Sequence, residues 1–408
     1  MDKTPPAKRP ARVRISDLRG IAQLATQATS GVARIAEGVH QSVWSSLGVP
    51  GGARQGSTRG ITGLVYRSVH GVTQLVGKGV DKALAQLEPL LETVDHEPPE
   101  SYAREAVLAA LNGVMGDRLA AGNNPLAIRM RLRPKGAATG KILVFAHGLC
   151  MNDLQWGSRH ADALAALGYT PVFLRYNTGL HTSRNGQELS GQLEALLASW
   201  PVPVRELAIV AHSMGGLVAR SACEEARRNA RHWIGQLRHL VFLGTPHHGA
   251  PLERAGNWVD VLLGTTPYTR PFSRLAQLRS AGITDLRYGH VLEADWAGQD
   301  RFRRTPDRRD VLPLPAGVAC YTAAATTAGK RGSVADRLLG DGLVPLRSAL
   351  GQHDDPARCL AFPKHAQWIG YRIGHMALLD HPEVTRQLVE WLSPRSRDEK
   401  IPRLAAEG

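Results

Sequence analysis

Glu206-Leu-Ala-Ile-Val-Ala-His-Ser-Met-Gly-Gly-Leu-Val-Ala-Arg220 is the stretch whose reading decides the fold. Its first six residues form an apolar run of strand length, Glu206–Ala211, and Met214–Arg228 reads as a helix. Ser213 stands at the junction, with Ala211 two positions before it and Gly215 two positions after. A sharp strand-to-helix turn lifts a serine hydroxyl out of a sheet and crowds those two positions, so that only small side chains fit there. The helix that follows points its N-terminus at the serine, where free N–H groups and the helix dipole favour negative charge. Ser213 is therefore a candidate nucleophile. His212 projects to the opposite side of the strand and reads as structural.

Working outward, the same grammar of alternating strands and helices runs from about Leu126 and predicts a mostly parallel sheet covered on both faces. Ile128–Arg133 reads as an edge strand and Lys141–Ala146 as a buried one, followed by a helix over Ser158–Leu167. Next come the strand Pro171–Tyr176 and the helix Gly186–Ser199. Beyond the central stretch, His239–Leu243, Val318–Ala323 and Cys359–Phe362 read as strands, and Pro382–Leu392 as a closing helix. Between Pro251 and Pro315 the strand rhythm stops, and that position suits a helical cap over a pocket.

Upstream the pattern differs. Residues 1–20 are rich in Pro and Arg, a composition expected to be disordered. Residues 21–125 are expected to form an amphipathic helical region. Ile21, Leu24, Ala28, Val32 and Ile35 fall on one helix face, and Ile61, Leu64, Val65, Val69 and Val72 repeat the arrangement after a break at Val49-Pro50-Gly51-Gly52. A shorter helix is expected near Tyr102–Val114. The α/β domain is thus expected over 126–394, with the cap at 251–315 and a tail at 395–408.

Of the 408 residues, 43% are hydrophobic and 5% aromatic, enough for a core of mainly aliphatic side chains. The formal charge of +14 attracts anionic surfaces at long range. Four scattered cysteines, Cys150, Cys223, Cys320 and Cys359, suggest neither a disulfide framework nor a zinc site. No apolar h-region follows the basic N-terminus, and no run reaches the roughly 18 apolar residues of a membrane span, so a cytoplasmic address is expected.

Several separate motifs resemble the bacterial lipase and esterase branch of the α/β-hydrolase superfamily, including lipases similar to the GPI inositol-deacylases. They are Ala146-His-Gly-Leu149, Ala211-His-Ser-Met-Gly-Gly216, Gly244-Thr-Pro-His-His-Gly249, Gly340-Asp-Gly-Leu-Val-Pro345 and Gly374-His375 before Leu378-Leu379. They stand in the family's order, and the likeness spans about 126–394. It implies a three-layer α/β-hydrolase fold and a Ser-Asp-His triad, because a serine hydroxyl needs a base and an orienting carboxylate. In this fold the acid follows the strand after the cap and the base follows the last strand. Asp341 is the expected acid, ahead of Asp307, Asp310 and Asp336. His375 is the expected base, ahead of His365, His381 and His353. The backbone N–H groups of Leu149 and Met214 are the expected oxyanion donors.

No cofactor and no metal are expected, and His247-His248 resembles a lipase turn that needs none. No nucleic-acid motif is present. The resemblance implies hydrolysis of a carboxylic ester, a hydrophobic ester or acyl-lipid. Separately from it, the basic residues and the N-terminal helices point either to peripheral contact with an anionic membrane or to packing of those helices on the catalytic domain or on each other. Two other readings remain open at this point. One is a catalytically idle hydrolase-like adaptor on a membrane or granule surface. The other is an acyltransferase or thioesterase with the same triad.

Overall fold

The computed structural model describes residues 102–250, 279–303, 306, 307, 309, 311–329 and 340–393, with a few helical positions between Ser16 and Gln23. The paired amphipathic runs before Tyr102, positions 251–278 of the expected cap and the tail 395–408 lie outside the described residues. The chain divides into two compact units, one of residues 1–105 and 118–127, the other of 106–117 and 128–408.

Strands β2 (Lys141–Ala146) and β4 (Glu206–His212) carry the unbroken apolar runs and lie side by side in parallel at the centre of a seven-stranded sheet. Near-continuous apolar runs suit a parallel sheet covered on both faces. With β1 (Arg131–Pro134), β3 (Tyr169–Arg175), β5 (Leu237–Leu243), β6 (Ala319–Thr326) and β7 (Gln367–Tyr371), the order is β1-β3-β2-β4-β5-β6-β7. Only β1 is antiparallel, on the edge beside β3. Side chains alternate between faces. Ile142, Val144 and Ile209 pack with Leu189 and Leu193 of α3 (Thr182–Ala198) and Val218 and Ala222 of α4 (Met214–Arg228). Leu143, Phe145 and Val210 pack with Leu164 of α2 (Ser158–Ala165) and Val384 and Leu388 of α7 (Pro382–Leu392). The result is the three-layer α/β-hydrolase arrangement. The remaining helices are α1 (Tyr102–Ala121, broken at Met115), α5 (Ala281–Asp285) and α6 (Leu346–Ala349). No described helix is long and apolar enough to cross a membrane.

Three expectations need correction. Cys359–Phe362 is not a strand: Leu360 and Phe362 are buried, but Phe362 N turns back onto Leu360 O and Pro363 follows. The last strand is Gln367–Tyr371, paired with β6. The edge strand begins at Arg131, because Ile128 N is taken by Asn112 Oδ1 at 2.9 Å. Helix α3 starts four residues earlier than its sequence suggests. Its cap comes from far away: Asp285 Oδ2 accepts Thr182 N at 2.7 Å.

Candidate active site

Ser213, between β4 and α4, has φ 56° and ψ −124°, a left-handed conformation for a residue that is not glycine. Such a backbone costs on the order of 1–3 kcal/mol and persists only where its surroundings enforce it. Here Ser213 N donates to Leu243 O at 2.8 Å, and Gly216 N donates to Ser213 O at 3.0 Å. The tightness expected two residues on is present. A Cβ at Gly215 would stand 2.6 Å from His147 O and 2.7 Å from Ala146 O.

Asp341 occupies a turn after β6, where Gly340 takes φ 53° and a Cβ there would meet Val344 O at 1.9 Å. Asp341 Oδ1 accepts Leu343 N at 3.0 Å and Val344 N at 2.8 Å, which leaves Oδ2 directed at His375 Nδ1, 2.6 Å away. His375 N also donates to Asp341 O at 3.0 Å. Both side chains are buried. His375 follows β7, as a base in this fold should. His365 instead sits in a turn before β7 and lines a cavity of about 870 Å³ with Lys141 and Glu206, the first residues of β2 and β4. That is the opposite end of the sheet from Ser213. His381 caps α7, where its ring accepts Glu383 N, and His353 is in an exposed loop. Asp307 is held by Arg309 and Arg358, while Asp310 and Asp336 lie outside the described residues.

His212 brings the two halves together. Its Nε2 is 3.1 Å from His375 O and its ring centroid is 4.5 Å from that of His375. The structural role read for it is therefore specific: it seats the loop carrying His375. Burial, followed by the proximity of His375, holds its imidazole well below the ordinary value, hence neutral. No hydrogen bond links the His375 ring to the Ser213 hydroxyl in this structure.

The loop after β2 is tied down on several sides. Gly148 lies so close that a Cβ there would be 3.0 Å from Ser213 Cβ. Tyr176 OH donates to His147 O at 2.7 Å and its ring stacks on His147. Cys150 N donates to Thr178 Oγ1 at 3.1 Å. Asp153 is gripped by Arg175 at 2.5 Å and Arg133 at 3.0 Å. Burial pushes the Asp153 carboxyl up, but the two guanidinium groups outweigh it and hold the group below its usual range. None of these anchors was read from the sequence, because each partner is distant along the chain. Leu149 and Met214 are buried together in one apolar cluster with Ile283, Leu286 and Val291 from the segment expected to form the cap. Among the described residues no group of three His, Cys, Asp or Glu is placed to hold a metal, and His248 Nε2 is 3.1 Å from Gly351 O.

Residues 127–286 match a family described only as a domain of unknown function (DUF7379). No curated protein matches the sequence. Among solved structures, the mature form of Bacillus licheniformis lipase BlEst2 is similar at 20% identity, covering 64% of this chain and 96% of that one, with a TM-score of 0.40. The Pyrococcus furiosus esterase Pf2001 is 13% identical, covering 62% and 80%, with a TM-score of 0.37. Aspergillus fumigatus lipase B is 10% identical, covering 63% and 55%, with a TM-score of 0.40. At such scores the fold rests on the strand order and the turn at Ser213, not on these likenesses.

Proposed function

We propose that the chain is a serine hydrolase that cleaves carboxylic esters through an acyl-enzyme. One observation carries the reading: a strained serine at a strand-to-helix turn directly follows His212, which holds the loop of His375 at 3.1 Å, and His375 Nδ1 is 2.6 Å from the buried carboxylate of Asp341. Ser213 Oγ attacks the ester carbonyl as His375 Nε2 takes its proton. Asp341 keeps the proton on Nδ1, so that Nε2 is the basic nitrogen, and stabilises the imidazolium. The amides of Leu149 and Met214 receive the oxyanion, Met214 N being the first of the helix and so without an intrahelical partner. His375 then protonates the departing alcohol, and water repeats the sequence to release the acid.

The substrate class that fits is a hydrophobic or acyl-lipid ester. The side chains of Leu149 and Met214 pack in one apolar cluster with Ile283, Leu286, Val291 and Leu343, so the surroundings of the two amides are apolar. In this reading the described part of the expected cap lies over the site, since its Ile283, Leu286 and Val291 pack with Leu149 and Met214. The test is a fluorophosphonate label on Ser213 together with turnover of p-nitrophenyl esters of graded length. Ser213→Ala should lose the label and about 10⁴-fold or more in kcat, with unchanged circular dichroism. Near-wild-type turnover in that variant refutes the mechanism.

A further inference from the structure

Helix α1 precedes the sheet in the chain, and its residues 106–117 belong to the same compact unit as the sheet. Ala110 and Val114 are buried in the apolar cluster that holds Leu149, Met214 and Ile283. Two glycines, Gly113 and Gly116, sit inside this helix. Alanine is the better helix former, so an interior glycine calls for a local reason. At Gly113 the reason is close approach. A Cβ there would run into Cys150 Sγ and stand 2.9 Å from Cys150 Cα and 3.0 Å from Cys150 N. A Cβ at Gly116 would run into Asn177 Oδ1.

The main chain of the helix is engaged by the same neighbours. It is broken at Met115, with φ −143° and ψ 21°, and carbonyls on both sides of the break accept donors from distant segments. Ser280 Oγ donates to Gly113 O at 2.5 Å, and Asn177 Nδ2 donates to Gly116 O at 3.0 Å. Ser280 caps α5, whose Ile283 packs with Leu149 and Met214. Asn177 precedes Thr178, whose hydroxyl oxygen accepts Cys150 N. Cys150 itself takes φ 58°, a left-handed backbone for a residue that is not glycine. Residues 113–116 thus meet the loop after β2, the loop after β3 and the start of α5 together.

The consequence falls on Leu149, the residue before Cys150. A peptide plane is stiff and each residue has only two soft dihedrals, so a shift of the Cys150 backbone carries the Leu149 N–H with it. An oxyanion donor works only at hydrogen-bond distance from the developing charge, and a displacement of about 1 Å can cost about 100-fold in rate. Thr178 holds Cys150 N by a hydrogen bond, and α1 limits the same residue by contact. We propose that Gly113 is a positioning residue for the hydrolysis: α1 is the backstop that sets the Leu149 amide, which makes the segment ahead of the sheet part of the catalytic unit. The assignment rests on the reading of Leu149 as an oxyanion donor.

Three variants of the full chain test it on a short p-nitrophenyl ester, with folding checked by circular dichroism and melting midpoint. Gly113→Ala puts one methyl against Cys150. It should lower kcat about 30-fold or more while KM stays within about twofold, because an oxyanion donor acts in the transition state. The pH dependence of kcat/KM should keep its inflection, since neither Asp341 nor His375 is touched. Cys150→Ala removes the Sγ and leaves a gap instead of a clash, and the loosened loop should cost about three- to tenfold in kcat. The double variant Gly113→Ala/Cys150→Ala moves one atom across the contact and should regain about fivefold or more over Gly113→Ala alone. An unchanged kcat in folded Gly113→Ala overturns the proposal. So does a loss that falls on KM, moves the pH inflection or is not regained in the double variant. If Gly113→Ala does not fold, Cys150→Ala decides alone, and an unchanged kcat there overturns the proposal. A wild-type chain that cleaves no ester and takes no fluorophosphonate removes the hydrolase reading and this assignment together; an active wild type with indifferent variants removes only the assignment.

Discussion

Replacing Asp341 by Asn probes the candidate triad at a position where the surrounding hydrogen bonds dictate the outcome. An asparagine has nearly the same shape, so its amide could in principle be placed either way round. The structure allows only one placement. Oδ1 already accepts two backbone amides, Leu343 N at 3.0 Å and Val344 N at 2.8 Å, and an NH2 group there would face two donors. The Asn carbonyl must therefore take the Oδ1 site, and its NH2 must point at His375 Nδ1, 2.6 Å from the position of Oδ2. To accept that donor, His375 gives up its proton at Nδ1 and carries it on Nε2, the nitrogen that should receive the serine proton. The expected loss in kcat is about 10⁴-fold, the size attached to a wrong tautomer in serine triads. Stability should change little, since the hydrogen bond between the two side chains is reversed rather than lost. The assay is steady-state turnover of a short p-nitrophenyl ester alongside urea denaturation. A variant that keeps more than about a tenth of the wild-type kcat refutes the role assigned to Asp341.

Acid sensitivity and crowding supply two further expectations. His147, His212 and His247 are buried, and burial holds all three imidazoles well below their usual range, to about 4 for His147. The unfolded chain protonates them near 6.5, so it binds more protons than the folded one below that value. Stability should fall as pH drops from about 6.5 to about 4, with His147 alone contributing about 3 kcal/mol across the window. Urea midpoints at pH 7.5, 6 and 5 measure it, and a flat profile contradicts neutral burial. Gly215→Ala forces a methyl to within 2.6 Å of His147 O, a backbone atom that can move only with the whole β2 loop. A loss of about 1–3 kcal/mol and a parallel fall in turnover are expected, and an unchanged melting midpoint would show that the turn is looser than drawn.

What could be read from the sequence was whatever is encoded locally. The run Glu206–Ala211 with Ser213, Ala211 and Gly215 specifies its turn from a dozen adjacent residues, and the structure has that turn. The pairing of Asp341 with His375 came from motif order, and the hydrogen bond between them is present. The last strand was misplaced because Cys359–Phe362 is as apolar as a strand, while Gln367–Tyr371 contains a glycine and a glutamine. Buried apolar loops and strands differ in backbone pairing, which composition does not record. The anchors of the loop after β2 and the cap of α3 were illegible for another reason. Asp153 with Arg133 and Arg175, and Asp285 with Thr182, are contacts between residues that only the finished sheet brings together.

The left-handed backbone at Ser213 also bears on how such a protein can change over generations. Glycine occupies that conformation without penalty, so Ser213→Gly would relax the chain by up to about 1–3 kcal/mol while removing the hydroxyl. The position most needed for the proposed chemistry is then also one where loss of that chemistry is rewarded with a sturdier fold. Drift in a lineage released from selection for turnover runs downhill there, and an intact serine at that backbone angle in this chain is what continued selection on the hydroxyl would leave behind.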